Sequence, residues 1–183
     1  MPNIKKHKVL MVVANQGFRD DEYTIPKEIL NSNNIDVATG ALEPGLAMGS
    51  SGTKVNVDFI IDYFLTDEDK WQEFSALIFI GGSGMEPLAD NEKLLELAAK
   101  FKLANKILAA ICVAPLILAN AGILKGRQAT VFESTEYIDL LVNAGAEYVK
   151  QEVVVDGQII TACGPKASYK FGLTLVKIIK SNL

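Results

Sequence analysis

Three apolar blocks, residues 8–14 (apolar from Val9 onward), 76–80 and 107–111, set the pattern of this chain. Each is short and lacks the alternation of a half-exposed strand. Such blocks predict strands of a parallel sheet covered on both faces. Residues 35–40 predict another short strand. Between these blocks the apolar positions recur at helical spacing. A helix is predicted after Asp20 or Asp21, either of which is a good cap. Its buried side would carry Ile25, Ile29 and Leu30, with Pro26 near the tolerated first turn. Residues 91–102 predict a helix with Leu94, Leu95, Leu97, Ala98 and Phe101 inward. Further helices are expected at 116–121, 137–144 and about 166–180. The Gly/Ser-rich segment 42–58 alternates at Val55 and Val57 and predicts a hairpin. Residues 129–132 read as a looser strand. Residues 153–160 read as a hairpin closed by Asp156-Gly157, a pair suited to a type I′ turn.

Strands alternating with helices imply an α/β fold with a mostly parallel sheet. No linker, repeat or low-complexity segment interrupts residues 1–183, so one domain is expected. In such sheets, sites form beyond the carboxyl ends of the strands. That rule groups residues 14–22, Gly81-Gly82-Ser83-Gly84 and Cys112.

Composition narrows the picture. The chain is 49% hydrophobic and 22% charged, ordinary values for a globular protein. A net charge of -4 gives no basic field for nucleic acid or an anionic membrane. No apolar run approaches the roughly 18 residues of a membrane span. Nothing at the start resembles a signal peptide. Two cysteines, Cys112 and Cys163, make neither a disulfide framework nor a metal spacing. A cytoplasmic, reduced protein is expected, with no metal or organic cofactor. The single histidine, His7, precedes the first strand and is expected at the surface. A Cys-His or Ser-His-Asp apparatus therefore has almost no source within the chain.

Cys112 ends an apolar strand, and small residues, Pro115 and a helix-like run follow it. This is the pattern of a nucleophile elbow, with cysteine in the place of serine. Free N–H groups and the helix dipole at such a turn favour a thiolate. A buried, inert cysteine would also satisfy the pattern. Glu22 falls in the first turn of the helix after the first strand. A carboxyl buried there is a candidate general acid/base in a chain without a useful histidine. Asp20 and Asp21 read as a solvated, helix-capping acidic loop. The glycines at 81–84 lack a phosphate-loop spacing. They permit close backbone approach, so the N–H groups of Gly82 and Val113 are candidate oxyanion donors. A tight turn alone would also account for them. Cys163 reads as a small core residue, or as a second thiol able to resolve an oxidised Cys112.

Taken in order, these segments resemble the ThiJ/PfpI family over nearly the whole chain. The matching residues include Glu22, Ile80-Gly81-Gly82, Ala109-Ala110-Ile111-Cys112 with Pro115, Gly145-Ala146-Glu147-Tyr148-Val149, Val155-Asp156-Gly157 and Gly164-Pro165. The resemblance implies a flavodoxin-like three-layer sandwich of the class I glutamine amidotransferase type, assembled as a homodimer or higher oligomer. It implies Cys112 as nucleophile, Glu22 as its carboxyl partner and Gly82 as backbone donor. Protease-type members carry a histidine directly after the cysteine, where this chain has Val113. Deglycase-type members carry one near Phe132, and the family's Ser-Arg-Gly-Pro becomes Ala162-Cys163-Gly164-Pro165. The implied activity is glyoxalase- or deglycase-like, on a small carbonyl substrate or a glycated protein, through Cys112 and Glu22. A redox-sensing or protective protein is the alternative. A peptidase would need a histidine from a neighbouring subunit, with His7 as its only source.

Overall fold

The computed structural model describes residues 7–67 and 70–181. Strand β1 (His7–Val12) lies near the middle of a seven-stranded sheet. It pairs in parallel with β3 (Ile35–Ala41) on one side and β7 (Ala76–Phe79) on the other. Beyond β3 lies β6 (Phe59–Ile60), parallel to it. Beyond β7 come β8 (Ile107–Ile111) and β12 (Ile159–Ala162), both parallel, and the antiparallel edge strand β11 (Val153–Asp156). The chain winds outward one way from β1 to β6, then crosses to β7 and winds the other way. The switch point is therefore the gap between β1 and β7, where such sheets open a crevice.

The apolar blocks explain the layering. Val9, Met11 and Val13 point into one core, and Leu10, Val12 and Ala14 into the other. Every residue of β7 and β8 is buried. The first core is closed by α1 (Asp20–Ser32) and α6 (Ser168–Ser181), through Tyr23, Leu30, Phe171 and Leu175. The second is closed by α2 (Ile61–Thr66), α3 (Glu92–Leu103), α4 (Pro115–Asn120) and α5 (Thr135–Asn143). The result is an α/β sandwich with a mostly parallel sheet between helices. Asn91 caps α3 through its side chain, as a helix start at 91 requires.

Several local expectations change. The residue before α1 is Arg19, which makes no side-chain cap, and Asp20 already lies inside the helix. The buried face of α1 carries Glu22, Tyr23, Pro26 and Leu30, while Ile25 and Ile29 are half-buried. Packing against α6 turns the helix this way: a Cβ on Gly172 would lie 2.8 Å from Ile29 Cδ1 and 3.1 Å from Pro26 Cα. The hairpin in 42–58 forms as β4 (Leu46–Gly49) and β5 (Lys54–Asn56), with the short β2 (Gln16–Phe18) beside β4. In the β11–β12 hairpin the two central residues are Gly157 and Gln158, because Asp156 pairs with Ile159. Gly157 has φ 62 and Gln158 has no positive φ, the first-position glycine of a II′ turn. The strand expected at 129–132 shortens to β9 (Gln128–Ala129), paired with β10 (Glu147–Tyr148) outside the main sheet. Its remainder leaves the ladder to fasten onto the main sheet. Thr130 donates its N–H to Thr161 Oγ1 at 2.9 Å, and Phe132 donates to the Cys112 carbonyl at 2.8 Å.

The loop after β7 crosses the loop after β1 almost backbone to backbone. Gly84 donates its N–H to Gly17 O at 3.0 Å, and a Cβ there would sit 1.7 Å from Gln16 O. Gly84→Ala is therefore expected to destabilise the protein by about 1–3 kcal/mol, the range of overpacking substitutions. Chemical denaturation of the two proteins checks this.

Candidate functional site

Cys112 follows β8 with φ 66, one of three non-glycine residues in the left-handed region among those described. That conformation costs about 1–3 kcal/mol and persists only where the surroundings impose it. Here they do. The Cys112 N–H donates to Ala162 O at 2.8 Å, and its carbonyl accepts from Phe132 at 2.8 Å. Pro115 then begins α4, where its missing N–H leaves no hydrogen bond unmade. The turn lifts the thiol out of the sheet plane, where the N–H groups of Val113 and Gly82 donate to it. Both backbone donors expected from the sequence are thus at the sulfur.

Glu22 comes from α1, two strands away. Its carboxyl is fully buried, and Oε2 accepts the N–H of Gly81 at 3.0 Å. Oε1 has no well-formed partner, which leaves the Cys112 thiol as the carboxyl's second contact, a side-chain hydrogen bond. The loop also holds the helix start: Arg19 donates its N–H to Gly81 O at 2.9 Å. Glycine is required at both loop positions. A Cβ at Gly81 would lie 2.6 Å from Cys112 Cβ and 2.7 Å from Glu22 Oε2. A Cβ at Gly82, whose φ is 113, would lie 2.5 Å from both Arg19 N and Gly17 O.

Burial governs the electrostatics. It pushes the Glu22 carboxyl up to about 7, against the opposing hydrogen bonds from Cys112 and Gly81 and the charge of Arg19. Burial, then the charge and hydrogen bond of Glu22, push the Cys112 thiol up to about 12, against the N–H groups of Val113 and Gly82. This reverses the direction expected from a helix start alone. Helix α4 has only six residues, and desolvation outweighs its N–H groups. The two groups share one site and cannot both be charged at little cost, so they titrate as a pair.

The thiol opens into a cleft of about 320 Å³. Phe132 and Pro165 give its lining an apolar part, and Tyr137 and Glu86 line it too. Arg19 and Ser50 line the side nearest the β4–β5 hairpin. Asp20 holds that side in place, and here the expectation of a solvated cap is corrected. Asp20 is buried, and it accepts the N–H groups of Ser51 and Thr53 at 2.8 Å and the Ser50 hydroxyl at 3.3 Å. Burial pushes its carboxyl up, but the hydrogen bonds from Thr53 and Ser51 outweigh this and hold it at about 2. Asp21 is exposed, as expected.

The other candidates lie elsewhere. His7 is half-buried rather than superficial, and its Nδ1 is 3.1 Å from Ser75 Oγ. It begins β1, at the opposite end of the sheet from the cleft. Cys163 follows the residue of β12 paired with Ile111, so it neighbours Cys112 across the ladder. It does not line the cleft, and its charged neighbours Glu152, Glu133 and Lys170 do not either. Sequence reasoning missed Asp20, Ser50, Glu86 and Tyr137. The Gly/Ser-rich turn at 49–53, full of free N–H groups, was a usable signal for a buried acceptor such as Asp20.

Comparison with known proteins identifies the family. Residues 7–178 match the sequence model of the DJ-1/PfpI family. An uncharacterised protein of Methanocaldococcus jannaschii is 41% identical over 181 residues, 98% of this chain and 86% of that one. The deglycase PfpI of Pyrococcus furiosus is 36% identical over 173 residues, 94% of this chain and 99% of its own. The crystal structure of a ThiJ/PfpI domain protein from Brachyspira murdochii superposes with a TM-score of 0.88 at 32% identity, covering 95% of this chain and 96% of that one.

Two outcomes follow. An ionised Glu22 disfavours the thiolate, so Glu22→Gln should move the apparent thiol pKa downward. The rate of Cys112 alkylation by iodoacetamide as a function of pH reads this directly. Asp20→Asn would turn an amide N–H toward the backbone donors of Ser51 and Thr53. A loss of about 1–3 kcal/mol is expected above pH 4, shrinking as pH falls toward 2 and the wild-type carboxylate protonates. Denaturation midpoints at several pH values check it.

Proposed function

The chain belongs to the DJ-1/PfpI family, and from that premise we propose that it is a cysteine-dependent enzyme acting on small reactive carbonyls. The observation that carries the reading is the buried Glu22 carboxyl bonded to the Cys112 thiol, in a cleft without a histidine among the described residues. Such a pair holds both a nucleophile and a proton carrier poised near neutral pH. Relatives named deglycases support the substrate class.

The chemistry balances without a cofactor. The Cys112 sulfur attacks the aldehyde carbon of a 2-oxoaldehyde such as methylglyoxal. A C–S bond forms, and the carbonyl oxygen gains the electron pair beside the N–H groups of Val113 and Gly82. That oxygen takes the pair's proton and gives a hemithioacetal. Ionised Glu22 removes the proton from C1, and the electron pair passes through the new C1–C2 double bond onto the C2 oxygen. The C1 hydroxyl proton of this enediolate moves to that oxygen, and protonated Glu22 returns its proton at C2 as the C1 carbonyl forms. The product is the thioester of a 2-hydroxy acid. Water cleaves it, releasing the acid and restoring the thiol. The cleft suits a three-carbon substrate or the tip of a glycated side chain. Assembly as a homodimer or higher oligomer and a cytoplasmic location go with this proposal.

A second reading, a redox-sensing or protective protein, draws on the same two N–H groups, which would also hold the oxygens of an oxidised sulfur. Peptide hydrolysis has the name of one relative behind it, a putative cysteine protease of Bacillus subtilis that is 32% identical over 174 residues, but the residues here argue against it, because Val113 follows the nucleophile and His7 is remote. Cys112→Ala should abolish lactate formation from methylglyoxal, followed by a coupled lactate assay. Unchanged lactate output would overturn the proposal.

A further inference from the structure

Tyr137 stands in the cleft and has no part in the chemistry above. Its position is fixed from several sides. It lies in the first turn of α5, where the Ser134 hydroxyl accepts its backbone N–H at 3.2 Å. Its ring meets Phe132 edge to face, with centroids 6.3 Å apart. Phe132 is in turn tied through its N–H to the Cys112 carbonyl. The segment carrying Tyr137 is thus fastened to the elbow itself. The half-buried ring brings its hydroxyl to the same cleft as the thiol, while Glu22 is buried beneath the Gly81 loop.

We infer that the Tyr137 hydroxyl is a further catalytic group, one that donates a hydrogen bond to the second oxygen of a 2-oxoaldehyde held on Cys112. The inference rests on the carbonyl reading above and specifies which carbonyls the cleft prefers: those with an oxygen on the carbon next to the aldehyde. At rest the hydroxyl donates to Glu86. Glu86 is exposed, so water takes over its solvation when the hydroxyl turns to the substrate. The hydrogen bond to Glu86, with burial, pushes the phenol up to about 12. Tyr137 therefore keeps its proton throughout the neutral range and acts as a donor. A hydrogen bond to the C2 oxygen also stabilises the enediol through which the proton transfer passes. No covalent step is added: the phenol hydrogen stays on Tyr137, and the proton moved between carbons still travels on Glu22.

The test compares methylglyoxal with propanal, which has the same three carbons and lacks the second oxygen. Each aldehyde is titrated for its protection of Cys112 against iodoacetamide, read on the Cys112 peptide by mass spectrometry. In Tyr137→Phe the ratio of the two protecting concentrations should shift by about tenfold or more against methylglyoxal, the loss of one hydrogen bond in a desolvated site. Each protecting concentration is read against the same variant's alkylation rate without aldehyde, so any change in the thiol's own reactivity cancels in the ratio. The kcat/KM for methylglyoxal should fall with the protection ratio. An unchanged ratio and unchanged turnover in Tyr137→Phe would overturn the inference. Lactate formation that survives in Cys112→Ala would overturn the carbonyl reading instead, so the two failures are distinguishable.

Discussion

Everything in the cleft depends on a gap one backbone wide. The carboxyl ends of β1, β7 and β8 lie side by side, and the strand between the acid and the thiol runs out into the loop that begins with Ile80 and Gly81. The missing Cβ of Gly81 is what lets Glu22 and Cys112 meet across it. The same residue donates its N–H to the carboxyl and accepts the N–H of Arg19. One residue thereby sets the start of α1 and the position of the acid. Any side chain there would force apart the two groups whose contact defines the site. Close-packed interiors do not absorb such intrusions.

That contact makes the site costly to the fold. A carboxyl with no exposure and a thiol in a left-handed turn are both placed against their intrinsic preferences. Strain and desolvation concentrated at one point are the usual mark of a functional position rather than of a structural one. The costs are met nearby. Hydrogen bonds on both sides of Cys112 fix the turn, and Asp20 ties the hairpin wall to the helix that carries Glu22. The acidic run 20–22 thus splits into three environments within one helical turn: a carboxylate bound to the hairpin, a solvated one, and one buried beside the thiol.

The family resemblance places histidines at two positions where this chain carries Val113 and Phe132. Both substitutions make the cleft more apolar around the thiol. Burial then dominates the electrostatics of Cys112 and Glu22, with no imidazolium to offset it. In the proposed chemistry proton handling falls to the carboxyl, whose raised affinity for a proton suits neutral pH. The apolar replacements and the buried acid are therefore two parts of one arrangement.

The sequence by itself determined the layers and the elbow. The apolar blocks require a sheet buried on both faces, because a strand without polar positions has no side to give to water. Cys112, Glu22, Gly82 and Val113 were legible because each follows a strand end, and strand ends of such sheets converge. Turn details were less so: the pairing of Asp156 with Ile159 moved the hairpin centre by one residue. The tertiary structure alone decided what depends on several elements meeting. It buried Asp20 against a hairpin about thirty residues away, and brought Tyr137 to the cleft that Glu22 and Cys112 line. It also reversed the direction in which the Cys112 thiol titrates. Local sequence carries the helix start that favours a thiolate, but desolvation is summed over every neighbour in space, and that sum exists only once the chain has folded.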